Sequence, residues 1–292
     1  MKISVIVPVY NNAHYLARVV QALLQQDYPR ERYELIFVDN SSTDNSLEVL
    51  HQYPELSVYS EAEPGSYAAR NRGISHAHGE ILAFTDSDCF PHAGWLRSID
   101  QALSAEHTKL ILGPRLATGS SSWVRLLAEY ENNKTQSVCR SNDPSVHYGY
   151  TNNMAVKRPV MDQIGPFLHL DRGADTIFVS QVAQAFSCAA VSYCPEMSVE
   201  HAELSSIRNY CTKMKTYGRS RTATNHILRA RSLNTAERWE AFRITARGLG
   251  LVDSARLFSL LALGAVAWWL GLYGISAHST RASRLRKQTR PG

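Results

Sequence analysis

The sequence predicts a layered α/β domain followed by C-terminal helices, and three observations carry that prediction. Short apolar runs alternate with amphipathic helical patterns through the first 115 residues. Polar clusters stand directly after three of those runs. The last third of the chain turns basic and contains one long stretch without a formal charge. With 44% apolar and 20% charged residues over 292 positions, the composition is that of an ordinary globular protein.

Taken in order, residues 3–9 read as a first buried strand. The run Ile3-Ser4-Val5-Ile6-Val7 is too short for the apolar core of a signal peptide and meets Pro8 at once. Further strands are expected at 33–38, 56–59, 80–85 and 109–113, with helices at 13–26, 43–52, 65–77 and 92–105. Strand alternating with helix implies parallel pairing through right-handed crossovers. Ligands of such sheets bind at the carboxyl ends of the strands. That rule gathers Tyr10-Asn11-Asn12, Asp39 through Asp44, and Asp86-Ser87-Asp88 onto one rim.

Beyond residue 115 the alternation weakens. A helix is expected at 120–140, extended chain at 146–157, a short helix at 159–163, a helix at 174–186 and a strand at 188–193. Residues 204–229 read as a basic amphipathic helix. Residues 236–252 read as a surface helix presenting Arg238, Arg243 and Arg247 to lipid headgroups. Residues 257–277 are 21 positions without a charge, preceded by Arg256 and followed by five more basic residues and His278. Length and flanks suit a membrane helix. Trp268 and Trp269 sit mid-run, which also suits a helix lying in the interface. The organisation expected is a catalytic domain over 1–230 (a nucleotide-binding half, 1–115, and an acceptor half, 116–230), then membrane-associating helices over 231–292.

Charge is placed unevenly. From Ile207 onward 16 Lys and Arg face only Glu237, Glu240 and Asp253, a net of +13, whereas the preceding residues are net −8. A basic third beside an apolar run points to membrane lipids. No nucleic-acid motif is present, so nucleic acid is not expected as a partner. The five cysteines, Cys89, Cys139, Cys188, Cys194 and Cys211, are scattered and odd in number, which argues against a zinc or disulfide framework and for a reducing compartment.

The sharpest chemical signal is Asp86-Ser87-Asp88. In extended chain, residues two apart point the same way, so the two carboxylates are expected to converge on one divalent cation, Mg2+ or Mn2+, that also grips phosphate. Without such a cation two close carboxylates repel.

Val7-Pro8-Val9-Tyr10-Asn11-Asn12, Val38-Asp39-Asn40-Ser41-Ser42-Thr43-Asp44, Ala69-Arg70-Asn71-Arg72-Gly73 and Thr85-Asp86-Ser87-Asp88 follow one another in that order. Gly94-Trp95-Leu96, Thr151-Asn152-Asn153-Met154-Ala155-Val156, Ile164-Gly165-Pro166-Phe167 and Val199-Glu200-His201 continue the series. Over roughly residues 1–220 the chain resembles the family-2 glycosyltransferases of the GT-A fold. The resemblance implies a Rossmann-like layered sheet and transfer, with inversion, of a sugar from a nucleotide-sugar donor to a saccharide or lipid-linked acceptor.

On that resemblance, Pro8, Tyr10, Asn11, Asp39, Arg70 and Asp86 bind the donor. Asp88, with Asp86 and His201, holds Mn2+ or Mg2+. Asp175, in Asp171-Arg172-Gly173-Ala174-Asp175, is the base that takes the acceptor proton. Ala174 stands where family members commonly carry a first acid, so a catalytically degenerate, membrane-bound sugar-nucleotide binder is the alternative. Asn71 and Gly73 read as structural, and Trp95 as core. A nucleotidyltransferase would carry a Gly-rich loop after the first strand, and a nicotinamide enzyme a G-x-G-x-x-G run; neither is present. The expected workplace is the cytoplasmic face of the membrane. Acceptor choice is expected to reside in residues 115–170 and 202–230.

Overall fold

The computed structural model describes residues 2–117, 121–202, 206–224, 231 and 233–274. The basic tail and the last three residues of the expected apolar run, 275–277, lie outside the described residues.

The first half alternates as its apolar periodicity dictates. β1 (Ile3–Val9), α1 (Ala13–Leu24), β2 (Tyr33–Asp39), α2 (Ser46–Leu50), β3 (Leu56–Ser60), α3 (Ser66–His76), β4 (Ile81–Thr85), β5 (Cys89–Pro91), α4 (Trp95–Ser104) and β6 (Leu110–Leu112) follow in order. The second half adds β7 (Arg115–Ala117), α5 (Ser122–Cys139), β8 (Asn153–Lys157), α6 (Arg158–Ile164), α7 (Ala174–Ala185), β9 (Val191–Tyr193), β10 (Val199–His201), α8 (Ile207–Thr224), α9 (Thr235–Ala246) and α10 (Leu251–Tyr273).

Seven strands form one sheet in the order β3-β2-β1-β4-β8-β6-β9. β1 pairs in parallel with β2 and β4, as expected. β8, which lies beyond the alternating first half, runs antiparallel to both β4 and β6. The physical reason is the connection: between β6 and β8 the chain takes a long detour through α5 instead of a crossover helix on the sheet face. A second sheet, β5-β10-β7, was not legible, because strands of three residues are too short to show a period.

Side chains of β1 alternate between two cores. Val5, Val7 and Val9 join the cluster containing Leu16, Val19, Val20 and Leu23 of α1 and Trp95, Leu96 and Ile99 of α4. Ile6 joins Ile36, Val38 and Phe84 against Tyr67 and Ala69 of α3 and Phe178 and Val182 of α7. The α1 set repeats at i, i+3, i+4 and i+7, the stripe an amphipathic helix must bury. Each buried Val or Leu stabilises by about 1.5–3 kcal/mol. Trp95 is fully buried, as expected of a core residue. Its Nε1 donates to Asn153 Oδ1 at 2.9 Å, and Asn153 Nδ2 donates to the Pro114 and Met197 carbonyls. Gly73 lets α3 press on β1, where an added Cβ would stand 2.5 Å from Ile6 Cγ2.

The C-terminal helices fold back onto the α/β body. α9 packs on α5 and α10 packs along α8. α9 begins with a capping box between Asn234 and Glu237. Leu257, Leu260, Gly264, Ala267 and Gly271 form the buried seam of α10. The glycines there admit close approach: a Cβ on Gly271 would stand 2.0 Å from the Lys215 carbonyl oxygen, and one on Gly218 2.1 Å from that of Trp268. The other face of α10 exposes Val252, Phe258, Leu263, Val266, Trp269, Leu270 and Tyr273.

Because backbone cannot yield as a side chain tip can, Gly271→Ala is expected to destabilise by about 1–3 kcal/mol. Gly274→Ala, which meets nothing within 4 Å, is expected to be near neutral. Thermal denaturation of the two variants checks this; equal melting temperatures would show that the helices are not in backbone contact.

Candidate active site

The site is built at the carboxyl ends of β1, β2 and β4, where the backbone turns sharply. Asn11 and Ser41 both adopt positive φ, 48° and 61°. The loops after β1 and β2 clasp each other there. Asn11 N donates to Ser42 Oγ at 3.0 Å, and Asn11 Oδ1 accepts from Thr43 N at 2.7 Å. Asp44 is part of this scaffold, accepting from the backbone N–H of Ala13 and Ser46. Asn12 Nδ2 reaches across to Ser87 Oγ at 2.8 Å, tying the first loop to the Asp-Ser-Asp turn. Pro8 is a buried residue of β1 in register with Val38, whereas Tyr10 leaves the strand with its ring 61% exposed at the rim.

Asp39 ends β2 with 5% exposure. Its Oδ2 accepts from Ser42 N at 3.3 Å, but its Oδ1 is buried and has no partner. A buried carboxylate oxygen without a donor is costly, so this atom is suited to a hydroxyl or ring N–H of a ligand. Arg70 Nε is a second buried polar atom without a partner. Arg70 is itself only 3% exposed, with its guanidinium donating to Asp86 Oδ1 and to the Ser66 carbonyl. It is a buried ion pair in the site and not a surface one.

The two carboxylates of the Asp-Ser-Asp turn face different neighbours, Arg70 and His201. Strand β4 ends at Thr85, and Ser87 and Asp88 form a turn, so strand alternation no longer governs where they point. Asp86 turns toward Arg70. Asp88 turns toward His201, whose Nε2 lies 3.5 Å from Asp88 Oδ2. The antiparallel register of β5 and β10 sets His201 opposite Cys89 and so delivers it to Asp88. Among the described residues, donor atoms of Asp88, Cys89 and His201 all lie within 4.8 Å of one another, a set able to hold a metal ion. Burial alone would raise the Asp88 carboxyl, but the hydrogen bond and charge of His201, with Lys213 behind it, outweigh that and hold it below the usual carboxylate range. Burial and the nearby Asp86 and Asp88 push the Cys89 thiol well up.

Asp175 occupies the first turn of α7, after Gly173 in the left-handed region at φ 89°. Its Oδ1 accepts from Tyr67 Oη and from Thr176 N, both at 2.8 Å, and its Oδ2 accepts weakly from Thr151 N at 3.4 Å. Desolvation raises its pKa despite these donors and despite the Arg70 charge. Tyr67 and Arg70 sit three apart on one face of α3, so one helix turn serves both Asp175 and Asp86. Tyr67 is the site residue that sequence reasoning missed; its spacing from Arg70 was the available signal. Ala174 is buried in the apolar cluster beneath α7. Asn71 bonds the Phe167 backbone in both directions, a structural role.

Residues 4–165 match the family described as Glycosyl transferase family 2. The chain is similar to Glycosyltransferase AglE of Haloferax volcanii, 34% identical over 189 residues, which covers 63% of this chain and 62% of that relative. It is also similar to a dolichyl N-acetyl-glucosaminyl phosphate diacetamido-dideoxy-glucuronosyltransferase of Methanococcus voltae, 26% identical over 41% of this chain and 47% of that one. The chain thus aligns with about three-fifths and one-half of the lengths of these relatives. Among solved structures, the mannosyltransferase PcManGT from Pyrobaculum calidifontis in complex with GDP-Man and Mn2+ superposes with a TM-score of 0.62 at 18% identity, covering 94% of this chain and 87% of that one. S. aureus TarS 1–349 gives 0.56 at 19% identity, covering 91% and 81%. The fold is therefore the GT-A fold, followed by C-terminal helices.

A buried acid whose folded pKa is raised favours the folded state only while protonated. Its contribution is fully present below the unfolded value near ~4 and lost as pH rises through the folded value. Asp175→Asn removes that loss. It is therefore expected to melt higher than the wild type at pH 7.5, with the difference shrinking as pH falls toward 4. Melting curves across that range check the sign.

Proposed function

This chain belongs to glycosyl transferase family 2, and on that premise we propose that it is a metal-dependent, inverting glycosyltransferase. It moves a sugar from a nucleotide-sugar donor to a hydroxyl of a saccharide or lipid-linked acceptor, in cell-surface polysaccharide or glycolipid synthesis at the cytoplasmic membrane face. The observation that carries this reading is the linked set at the rim, in which Arg70 bonds Asp86 and its neighbour Tyr67 bonds Asp175, with Asp88 and His201 beside them.

Each residue then has a distinct task. Tyr10 offers an exposed ring to the nucleotide base, and the unpartnered Asp39 Oδ1 accepts from base or ribose. Asn11 fixes the loop that carries these contacts. Arg70 holds Asp86 in place and keeps a positive charge under the diphosphate. Asp88 Oδ2 and His201 Nε2, an oxygen and a nitrogen donor 3.5 Å apart, fit a divalent cation, with imidazole favouring Mn2+ over Mg2+. Such an ion offsets charge developing on the leaving nucleoside diphosphate. Asp175 accepts the acceptor proton at Oδ2, its less occupied oxygen; Tyr67 and Thr176 hold Oδ1 and orient it. Its burial raises its basicity toward the working pH.

The test is binding and turnover with UDP-, GDP- and dTDP-sugars, with and without Mn2+. Asp88→Ala is expected to lose the metal-dependent thermal shift that a donor gives the wild type. Asp175→Asn is expected to keep donor binding and lose about 10²–10⁴-fold in donor turnover. Tight Mn2+-dependent binding by Asp88→Ala would overturn the metal assignment. Near-normal turnover by Asp175→Asn would remove it as the base, and no donor binding or hydrolysis by the wild type would reject the enzyme.

Membrane contact is proposed through the outer face of α10. The helix has 23 residues, and its most apolar 18-residue window has a mean hydropathy of 1.6, long and apolar enough to cross a membrane by length and composition. Its seam rests on α8, so the proposed contact is lateral, with Phe258, Val266 and Trp269 in the lipid. Arg243, Arg247 and Arg256 lie close in sequence to meet anionic headgroups. Replacing Phe258 and Trp269 together by Glu is expected to abolish co-sedimentation with anionic vesicles. Unchanged sedimentation would move the contact elsewhere.

A further inference from the structure

Thr151-Asn152-Asn153 puts two asparagines side by side, and the fold treats them oppositely. Asn153 opens β8 with both ends of its amide bonded: Oδ1 accepts from Trp95 Nε1, and Nδ2 donates to the Pro114 and Met197 carbonyls. Asn152 is only 8% exposed, yet its Oδ1 is buried and has no hydrogen-bond partner among the described residues. A buried amide oxygen without a donor carries a desolvation cost that folding does not recover.

The backbone that carries Asn152 is pinned. Asn153 N donates to the Tyr150 carbonyl at 3.3 Å, Thr151 N donates to Asp175 Oδ2 at 3.4 Å, and the Asn152 carbonyl accepts from Thr85 Oγ1 at 3.2 Å. Thr85 immediately precedes Asp86, and the antiparallel register of β4 and β8 pairs it with Asn153. The turn at 151–152 is thus tied on one side to the proposed base and on the other to the Asp-Ser-Asp turn. Sugar transfer places the anomeric carbon between those two groups. The leaving diphosphate lies toward Asp86 and Asp88, and the attacking oxygen gives its proton to Asp175. The transferred ring therefore lies beside Asn152.

Three residues of this rim each bury a polar side-chain atom without a partner: Asp39 Oδ1, Arg70 Nε and Asn152 Oδ1. Asp39 is matched by base or ribose and Arg70 by the diphosphate, which leaves Asn152 to the sugar. We propose that Asn152 is a specificity-determining residue for the donor sugar, its Oδ1 accepting a hydrogen bond from a ring hydroxyl or an acylamino N–H. The proposal rests on the glycosyltransferase reading. A site built to hydrogen-bond a substrate group rejects the analogue that lacks it, because the protein atom is then left buried and unpaired. A pinned backbone holds that atom in place before the donor arrives.

The test pairs calorimetric binding of UDP, GDP and dTDP, each with Mn2+, with hydrolysis of UDP-glucose, UDP-N-acetylglucosamine, GDP-mannose and dTDP-glucose by the full chain. Asn152→Leu, close in volume and without polar side-chain atoms, is expected to bind the preferred nucleoside diphosphate within about twofold of wild type and to lose at least about tenfold in kcat/KM for its sugar conjugate. Without ligand it is expected to melt no lower than wild type, since the unpaired oxygen is gone. A larger loss with UDP-N-acetylglucosamine than with UDP-glucose assigns the acylamino N–H, and equal losses across conjugates assign a ring hydroxyl. Unchanged kcat/KM for every conjugate overturns the proposal and leaves the transferase standing. So does a loss of free nucleoside diphosphate binding as large as the loss of conjugate turnover, which marks a structural residue. A wild type that binds neither nucleoside diphosphate nor conjugate rejects the transferase, and the sugar contact of Asn152 with it.

Discussion

Four carboxylates gather near the carboxyl ends of the central strands, and desolvation of their charges is the constraint on which the site depends. Asp39 and Asp175 are buried, Asp86 and Asp88 partly so, and the four come from three separate segments. Each is neutralised or satisfied by a different device. Asp86 has the buried guanidinium of Arg70, Asp88 has His201, and Asp175 has the Tyr67 hydroxyl and two backbone N–H groups. Asp39 is left with one oxygen unpartnered. A buried ion pair is worth little in net stability, but losing one partner is expensive. Arg70, whose charge acts on both Asp86 and Asp175, is thus the residue whose loss would reach two acids at once.

The secondary architecture explains how such distant residues meet. β1 and β2 end in loops that clasp through Asn11 and Ser42, and the small sheet of β5, β10 and β7 carries His201 across to Asp88.

Much of this was legible in the sequence because the first half obeys simple periods. The α1 stripe, the buried strands β1, β2 and β4, and the polar clusters after them follow from apolar spacing and from the rule that such sheets bind ligands at strand ends. Other features were not. β8 runs antiparallel, since direction depends on the route of the connection and not on the strand's own residues. The three-residue strands of the small sheet, β5, β7 and β10, carry no period at all. The divergence of Asp86 and Asp88 reflects a turn beginning one residue earlier than an extended reading assumes, and Tyr67 is hidden because its partner Asp175 is brought close only by α7. The helix forecast at 236–252 resolves into α9 and the start of α10, divided at Gly248-Leu249-Gly250.

The glycine seam of α10 leaves that helix answerable to two different standards. Along Leu257, Leu260, Gly264, Ala267 and Gly271 the neighbour is another helix a few ångströms away, so side-chain volume is what matters and a single added carbon is felt. Along Phe258, Val266 and Trp269 the side chains are more than half exposed and meet at most one aromatic neighbour, so apolar character is most of what is asked of them. Leucine exchanged for phenylalanine is a trivial edit on one flank and a disruptive one on the other. Divergence among descendants of this chain would accordingly run fast along the exposed flank and nearly stop along the buried seam.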